Sequence, residues 1–404
     1  MFKIHTPINR LQQICRFGIL LLFLSSCVEE YVLPDEIAEQ YTEQLYIEGK
    51  ILSGTESIVY VMKTAGMNTG GIFNVPDAKV YVLAENGFRT ENATYSTSGA
   101  YLIQTGVLND QTRYKLVVEY EGNIYESDYQ YLQASQEIGE IGFTEDFDKG
   151  EVRIWVSTQG DNQHSSYYMW TFEEDFEYHS MFDMRVARTS AGYLHYSKNY
   201  YPEVTDYVNP YYNCWVHRNS HQILVYSTDM LTENAVKQHV INKLTLDTPD
   251  LQTLYGITVY QSNLSPEAYA YYSQMKSNTE EMGSLFAPMP TEVYGNITCK
   301  NNPKIKVRGF VTASTTTMKR FFISASDLKQ VKCQWRDGKM LTKPIFSEGY
   351  ASSLLSYLNN GYAVVSIDPS QITDSDVAYT APCINCLLSG GTKDKPEWWP
   401  NDHE

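Results

Sequence analysis

Short strand-like runs, each closed by turn residues, recur along most of this chain and leave room for little except stacked β-sheets. The clearest is Tyr114–Tyr120, where Tyr114, Leu116, Val118 and Tyr120 share one face and Lys115 and Glu119 take the other. A period of two marks a half-buried antiparallel strand. Leu45–Leu52, Ile58–Lys63, Lys79–Ala84 and Tyr101–Gln104 are further runs of this kind. Ser53-Gly54, Pro76-Asp77, Glu85-Asn86-Gly87, Ser98-Gly99 and Glu121-Gly122-Asn123 separate them with residues suited to reversing the backbone. Strands at such spacing predict a β-sandwich over residues 44–133. Tyrosine supplies 33 of the 404 residues, which favours strands over helices.

A second, larger β-sandwich-type domain is expected over residues 134–380, so the fold class is mostly β. Ile138–Phe143 and Glu151–Val156 predict a hairpin turning at Asp146–Gly150, and Tyr167–Phe172, Gln222–Tyr226 and Tyr255–Gln261 are further strands. Gly295–Cys299, Lys304–Ala313, Arg320–Ser324 and Tyr362–Ile367 resume the pattern later. One amphipathic helix is predicted over residues 265–283. Ser265 can cap it, Pro266 suits its first position and Gly283 supplies a left-handed stop. Ala268, Tyr272, Met275, Thr279, Met282 and Phe286 recur at steps of three and four as its packing stripe.

Between these strands lies an aromatic stretch, residues 193–215, broken by Pro202 and Pro210 and read as a long loop. Its Tyr196, Tyr200, Tyr201, Tyr207, Tyr211 and Tyr212 are candidates for contact with a ligand or partner, because rigid amphipathic rings bind at low entropic cost. The alternative is that such rings fill the core between two sandwiches. Residues 381–404 form a turn-rich tail containing cysteine and tryptophan, and Trp398 and Trp399 are expected to fold it back on the body.

The first 26 residues contain Lys3, Arg10 and Arg16, no acidic residue, and the apolar run Phe17–Leu24, the layout of a secretory signal. The run is too short to span a bilayer as a helix. It closes on Leu24-Ser25-Ser26-Cys27, which resembles the bacterial lipobox. That resemblance implies that Cys27 opens the mature chain and carries lipid, a durable hold on a membrane. Residues 27–43 read as an acidic, extended tether. Its Glu29 and Glu30 stand where Bacteroidota lipoproteins carry a surface-export signal, a resemblance implying the cell surface. The whole chain carries a net charge of −17, and losing a basic signal makes the remainder more acidic still. Nucleic acid is therefore not an expected partner.

Candidate chemistry is sparse. Of seven cysteines, Cys214, Cys299, Cys333, Cys383 and Cys386 lie beyond the lipid site, and an oxidising compartment makes them disulfide candidates. Cys299, Cys333, Cys383 and Cys386 are singled out, and an odd number leaves one thiol over. Cys214, His217 and His221 have ligand-like spacing with no evident fourth ligand. Asp146-Phe-Asp148-Lys-Gly150-Glu151 opens like a calcium loop, but Ser157 occupies the position of the bidentate acid, so a polar hairpin turn is expected. No His-Glu-x-x-His, Gly-x-Ser-x-Gly or phosphate-binding loop is present. No catalytic residue, metal or cofactor is expected, and the chain reads as a non-enzyme.

Two family resemblances extend these readings. Asp77-Ala-Lys-Val-Tyr-Val, Gly99-Ala-Tyr101 and Tyr114-Lys-Leu-Val-Val resemble the immunoglobulin-like, prealbumin-type sandwich of carboxypeptidase-regulatory modules, a scaffold with no chemistry of its own. The segment Leu264-Ser-Pro-Glu-Ala-Tyr-Ala-Tyr-Tyr272, Gly283-Ser-Leu-Phe286, Tyr294-Gly-Asn-Ile297, Val307-Arg-Gly-Phe310 and Lys319-Arg-Phe-Phe-Ile-Ser324 is similar to the Bacteroidota lipoprotein family catalogued as domain of unknown function 4249. So is the ending Cys383-x-x-Cys386, Gly390-Gly391-Thr392, Lys395-Pro396 and Trp399. The resemblance implies a lipid-anchored outer-membrane protein, often encoded beside TonB-dependent β-barrel receptors, with no catalytic residues to carry over. The expected function is accessory to such a transporter; a surface adhesin or structural envelope protein is the alternative.

Overall fold

The computed structural model describes residues 44–64, 71–161, 163–180, 184–188, 194–196, 211–246, 248–280, 293–329, 362–365, 377–380 and 385–401. Cys27, the signal and the tether lie outside them, as do Tyr200, Tyr201, Tyr207, Cys333 and Cys383. The chain divides into two units. Of the first, Met1–Gln44 with Lys63–Phe73, few residues are described; there the Gln44 amide donates to Thr64 Oγ1 at 2.9 Å. The second unit, Leu45–Met62 with Asn74–Glu404, contains everything that follows.

Mostly antiparallel β-structure dominates it. In one sheet the spatial order is Val307–Arg308, Leu45–Leu52, Glu56–Thr64, Tyr101–Gln104 and Thr94–Tyr95, with Val311–Ser314 also on Leu45–Leu52. A facing sheet runs Ile297–Cys299, Asn123–Ser127, Arg113–Tyr120 and Lys79–Ala84. Alternate residues of both, among them Ile47, Val59, Ile103, Val80, Val82, Leu116 and Val118, fill a common core. Lys115 departs from the expected exposed face. It is buried and paired with Glu126 at 2.6 Å, because the neighbouring strand supplies its counter-charge.

The expected domain boundary at residue 133 does not describe this sandwich. Residues 297–314, assigned above to the second domain, return to complete both sheets, and 311–314 pair in parallel with Gly49–Leu52. Close approach makes this possible. Gly309 has φ +102°, and a Cβ there would collide with the Ile47 backbone. Asn296 presents its side-chain amide to Val311 as a strand would, donating to the carbonyl and accepting from the amide, each at 2.9 Å.

A second sandwich stands on a three-stranded and a five-stranded sheet. The first runs Glu140–Asp146, Glu151–Gln159, Ala235–Thr245. The expected hairpin is present, and its turn is held by the Lys149 amide on Asp146 Oδ1 at 3.1 Å. The second runs Asn213–Asn219, Tyr167–His179, Leu254–Asn263, Thr317–Ser324, with Leu224–Ser227 also on Tyr167–His179. Val152, Ile154, Val156 and Ile241 meet Trp170, Phe172, Phe176, Tyr255 and Ile257 in the core between them. A four-stranded sheet joins Leu194–Tyr196, Met184–Arg188, Tyr362–Val365 and Val377–Thr380. The stretch read as a loop over 193–215 therefore contains strands at both ends.

The helix, Pro266–Glu280, begins as expected, with Ser265 Oγ accepting from the Ala268 amide at 3.2 Å. Ala268, Tyr271 and Tyr272 pack with Met169, Val225, Leu264 and Phe310. Thr279 is exposed, so the predicted stripe ends early; Gly283 and Phe286 lie outside the described residues. Among the described residues no helix is long and apolar enough to cross a membrane.

Candidate functional site

Strand Tyr167–His179 builds the site, because its sequence changes character halfway along. Tyr168, Trp170, Phe172 and Phe176 point to the core on one face. The opposite face begins with Met169 under the helix and continues as Glu173, Asp175, Glu177 and His179. Antiparallel register sets Asp175 beside His217, Glu177 beside Trp215 and His179 beside Asn213. Asp175 and Glu177 are only 3% and 2% exposed, so both carboxylates need donors. His217 Nδ1 lies 2.9 Å from Asp175 Oδ1, while Asp175 Oδ2 and Trp215 Nε1 are buried without a hydrogen-bond partner.

The C-terminal tail roofs part of this face. Cys386 is disulfide-bonded to Cys214, 172 residues earlier, and Tyr178 Oη donates to the Cys386 carbonyl. Trp215 and Thr392 exchange both backbone hydrogen bonds, at 3.0 and 2.8 Å. Trp399 is buried and donates from Nε1 to Glu177 Oε2 at 3.0 Å, a bond to a charged acceptor that contributes about 1.5–3 kcal/mol. Gly256 leaves the space for it: a Cβ there would lie 3.2 Å from the Trp399 ring and 3.1 Å from Phe322. Arg320 stacks over Trp398 at 3.7 Å and donates from Nε to Thr258 Oγ1 at 3.0 Å.

Beside the tail, at the edge of the same sheet, opens a polar cleft of about 450 Å³. Phe172, Glu174, Arg218, Asn219, His221 and Asn242 are among its walls. Glu174 Oε1 accepts from Tyr255 Oη at 2.6 Å and from Asn242 Nδ2 at 2.7 Å. Burial first, and then the Glu174 carboxylate, push the Tyr255 phenol well above its ordinary value, so it stays protonated and a donor. Arg218 holds Asp250 at 2.7 Å and lies over the Phe176 ring at 4.6 Å. Fixed donors and acceptors over an aromatic floor are equipment for binding a small polar group or a peptide.

Several sequence candidates converge here. The Cys214 sulfur is consumed by the disulfide, so it is no thiolate ligand beside His217 and His221. Of the singled-out cysteines, Cys386 pairs with Cys214. Cys299 corrects the expectation: it is a buried free thiol in the first sandwich, 3.4 Å from Asn301 Oδ1, on a strand that meets no other described cysteine. Tyr212 packs against His179 with ring centres 4.6 Å apart, and the Tyr211 carbonyl accepts from the Cys386 amide at 3.0 Å. Tyr196 lies in strand Leu194–Tyr196, away from these pairings in the chain of the four-stranded sheet. Sequence reading missed Glu174, Asp175, Glu177 and Arg218. The run Glu173-Glu174-Asp175 inside an otherwise apolar strand was the available signal.

A protein-family model described as "Domain of unknown function (DUF4249)" matches residues 29–320. No curated protein matches the chain.

Proposed function

This chain belongs to the DUF4249 family, and we propose that it is a non-catalytic, lipid-anchored outer-membrane protein that assists a TonB-dependent transporter at the cell surface. The observation that carries the reading is the basic, apolar lead ending at Leu24-Ser25-Ser26-Cys27, immediately before the family-matched region. Binding rather than catalysis is favoured by how the site's acids are occupied. Glu174 is engaged by Tyr255 and Asn242, Glu177 by Trp399, and Asp175 by His217, which suits fixed recognition better than proton transfer.

Purification in mild detergent at native expression tests the partner. A β-barrel receptor should accompany the protein; recovery alone favours a surface adhesin or structural envelope protein. Fatty-acid labelling tests the anchor, and Cys27→Ser should abolish both label and membrane retention.

A further inference from the structure

Strand Asn213–Asn219 lies at the end of its sheet, and its backbone groups alternate in direction. Even-numbered positions point inward: Tyr212 accepts from the Ser180 amide and Ser220 donates to the Phe172 carbonyl. Odd-numbered positions therefore point out. The tail covers them in turn, with the Cys386 amide on Tyr211, the Lys393 ammonium on the Asn213 carbonyl, and Thr392 on Trp215. It goes no further, because the 3-10 turn Cys386–Ser389 and Gly390 carry it off the line. The outward N–H and C=O groups of His217 and Asn219 are left without a partner among the described residues. Their side chains are polar, and those of His217 and Arg218 are 53% and 49% exposed.

We propose that this edge is a docking site for an extended, lysine- or arginine-bearing peptide segment of a partner protein, which adds one strand alongside His217 and Asn219. Main-chain hydrogen bonding supplies the attachment, as in other strand additions, and the adjacent cleft of about 450 Å³ receives side chains. Charge selects the occupant. One face of the edge carries Glu174 and Asp250, the latter already held by Arg218; the other carries Glu173 and Asp175, whose Oδ2 is buried without a donor. Carboxylates outnumber fixed cations on both sides, so basic side chains are attracted and acidic ones repelled whichever way they alternate. The inference needs only the strand edge and does not depend on a transporter being the partner.

The test uses the full chain in mild detergent and a fluorescent, blocked peptide of alternating lysine and threonine. Its comparators are the glutamate counterpart and two versions N-methylated at one or the other set of alternating amides. The lysine peptide should bind, one methylated version should lose about tenfold in affinity or more, and the glutamate peptide should not compete. Bound peptide should slow hydrogen exchange at the His217 and Asn219 amides. Asn219→Pro removes an outward N–H that no ladder bond uses, so it should weaken binding about tenfold without moving the unfolding midpoint. Undetectable binding of the lysine peptide, full binding by both methylated versions or by Asn219→Pro, or equal binding of the glutamate peptide would overturn the proposal. So would self-association that Asn219→Pro abolishes, which assigns the edge to a second copy; if that variant misfolds, exchange on the native chain decides.

Discussion

Trp399 does two jobs with one ring, filling the space above Gly256 and giving Glu177 a donor. Trp399→Ala should therefore destabilise by about 3–5 kcal/mol, and Trp399→Phe by about 1–3 kcal/mol, measured by denaturant unfolding. His239 makes a separate prediction. It packs between Trp170 and Tyr226, and burial, followed by the positive Lys276, holds its imidazole below the ordinary value. The unfolded chain then takes up the proton more readily than the folded one. Stability is complete above the unfolded value of about 6.5 and falls as the pH drops through it. The thermal midpoint should decline between about pH 7.5 and 5.5, and His239→Gln should flatten that decline. Little of this was legible: a lone histidine or glycine in a strand carries no mark of what packs on it. Asn296 is the instructive case, since Gly-Asn-Ile was noticed as a motif but its use as a substitute peptide group needs Val311 in view.

Single elements were read well where one period governed them. Tyr114–Tyr120, the hairpin at Asp146–Gly150 and the start of the helix follow from local chemistry alone. The aromatic stretch misled because prolines in its middle hid the strands at its ends, and pairing over long separations leaves no local trace. The tail shows the same limit. Its tryptophans announced that it folds back, but only the register places Thr392 against Trp215. The disulfide that pins it closes 172 residues of chain, so reduction or Cys214→Ala should cost about 2–5 kcal/mol. Hydrogen exchange should rise first at the Thr392 and Trp399 amides, ahead of the core strand Leu254–Asn263.

At the scale of the whole molecule, composition and spacing gave the mostly β class, but the partition into consecutive domains failed because residues 297–314 close the first sandwich. A fragment of residues 44–133 should consequently remain unfolded or aggregate, as judged by circular dichroism and amide dispersion. It lacks Ile297, Val311 and Ala313 from its core and leaves Leu45–Leu52 with a bare edge. That parallel pairing also governs how the protein responds to force. A pull arriving through the residues before Leu45 draws the strand lengthwise past Val311–Ser314, loading all its rungs together instead of peeling them one by one. A fold held this way resists tension best along the one direction in which a tethered protein is tugged.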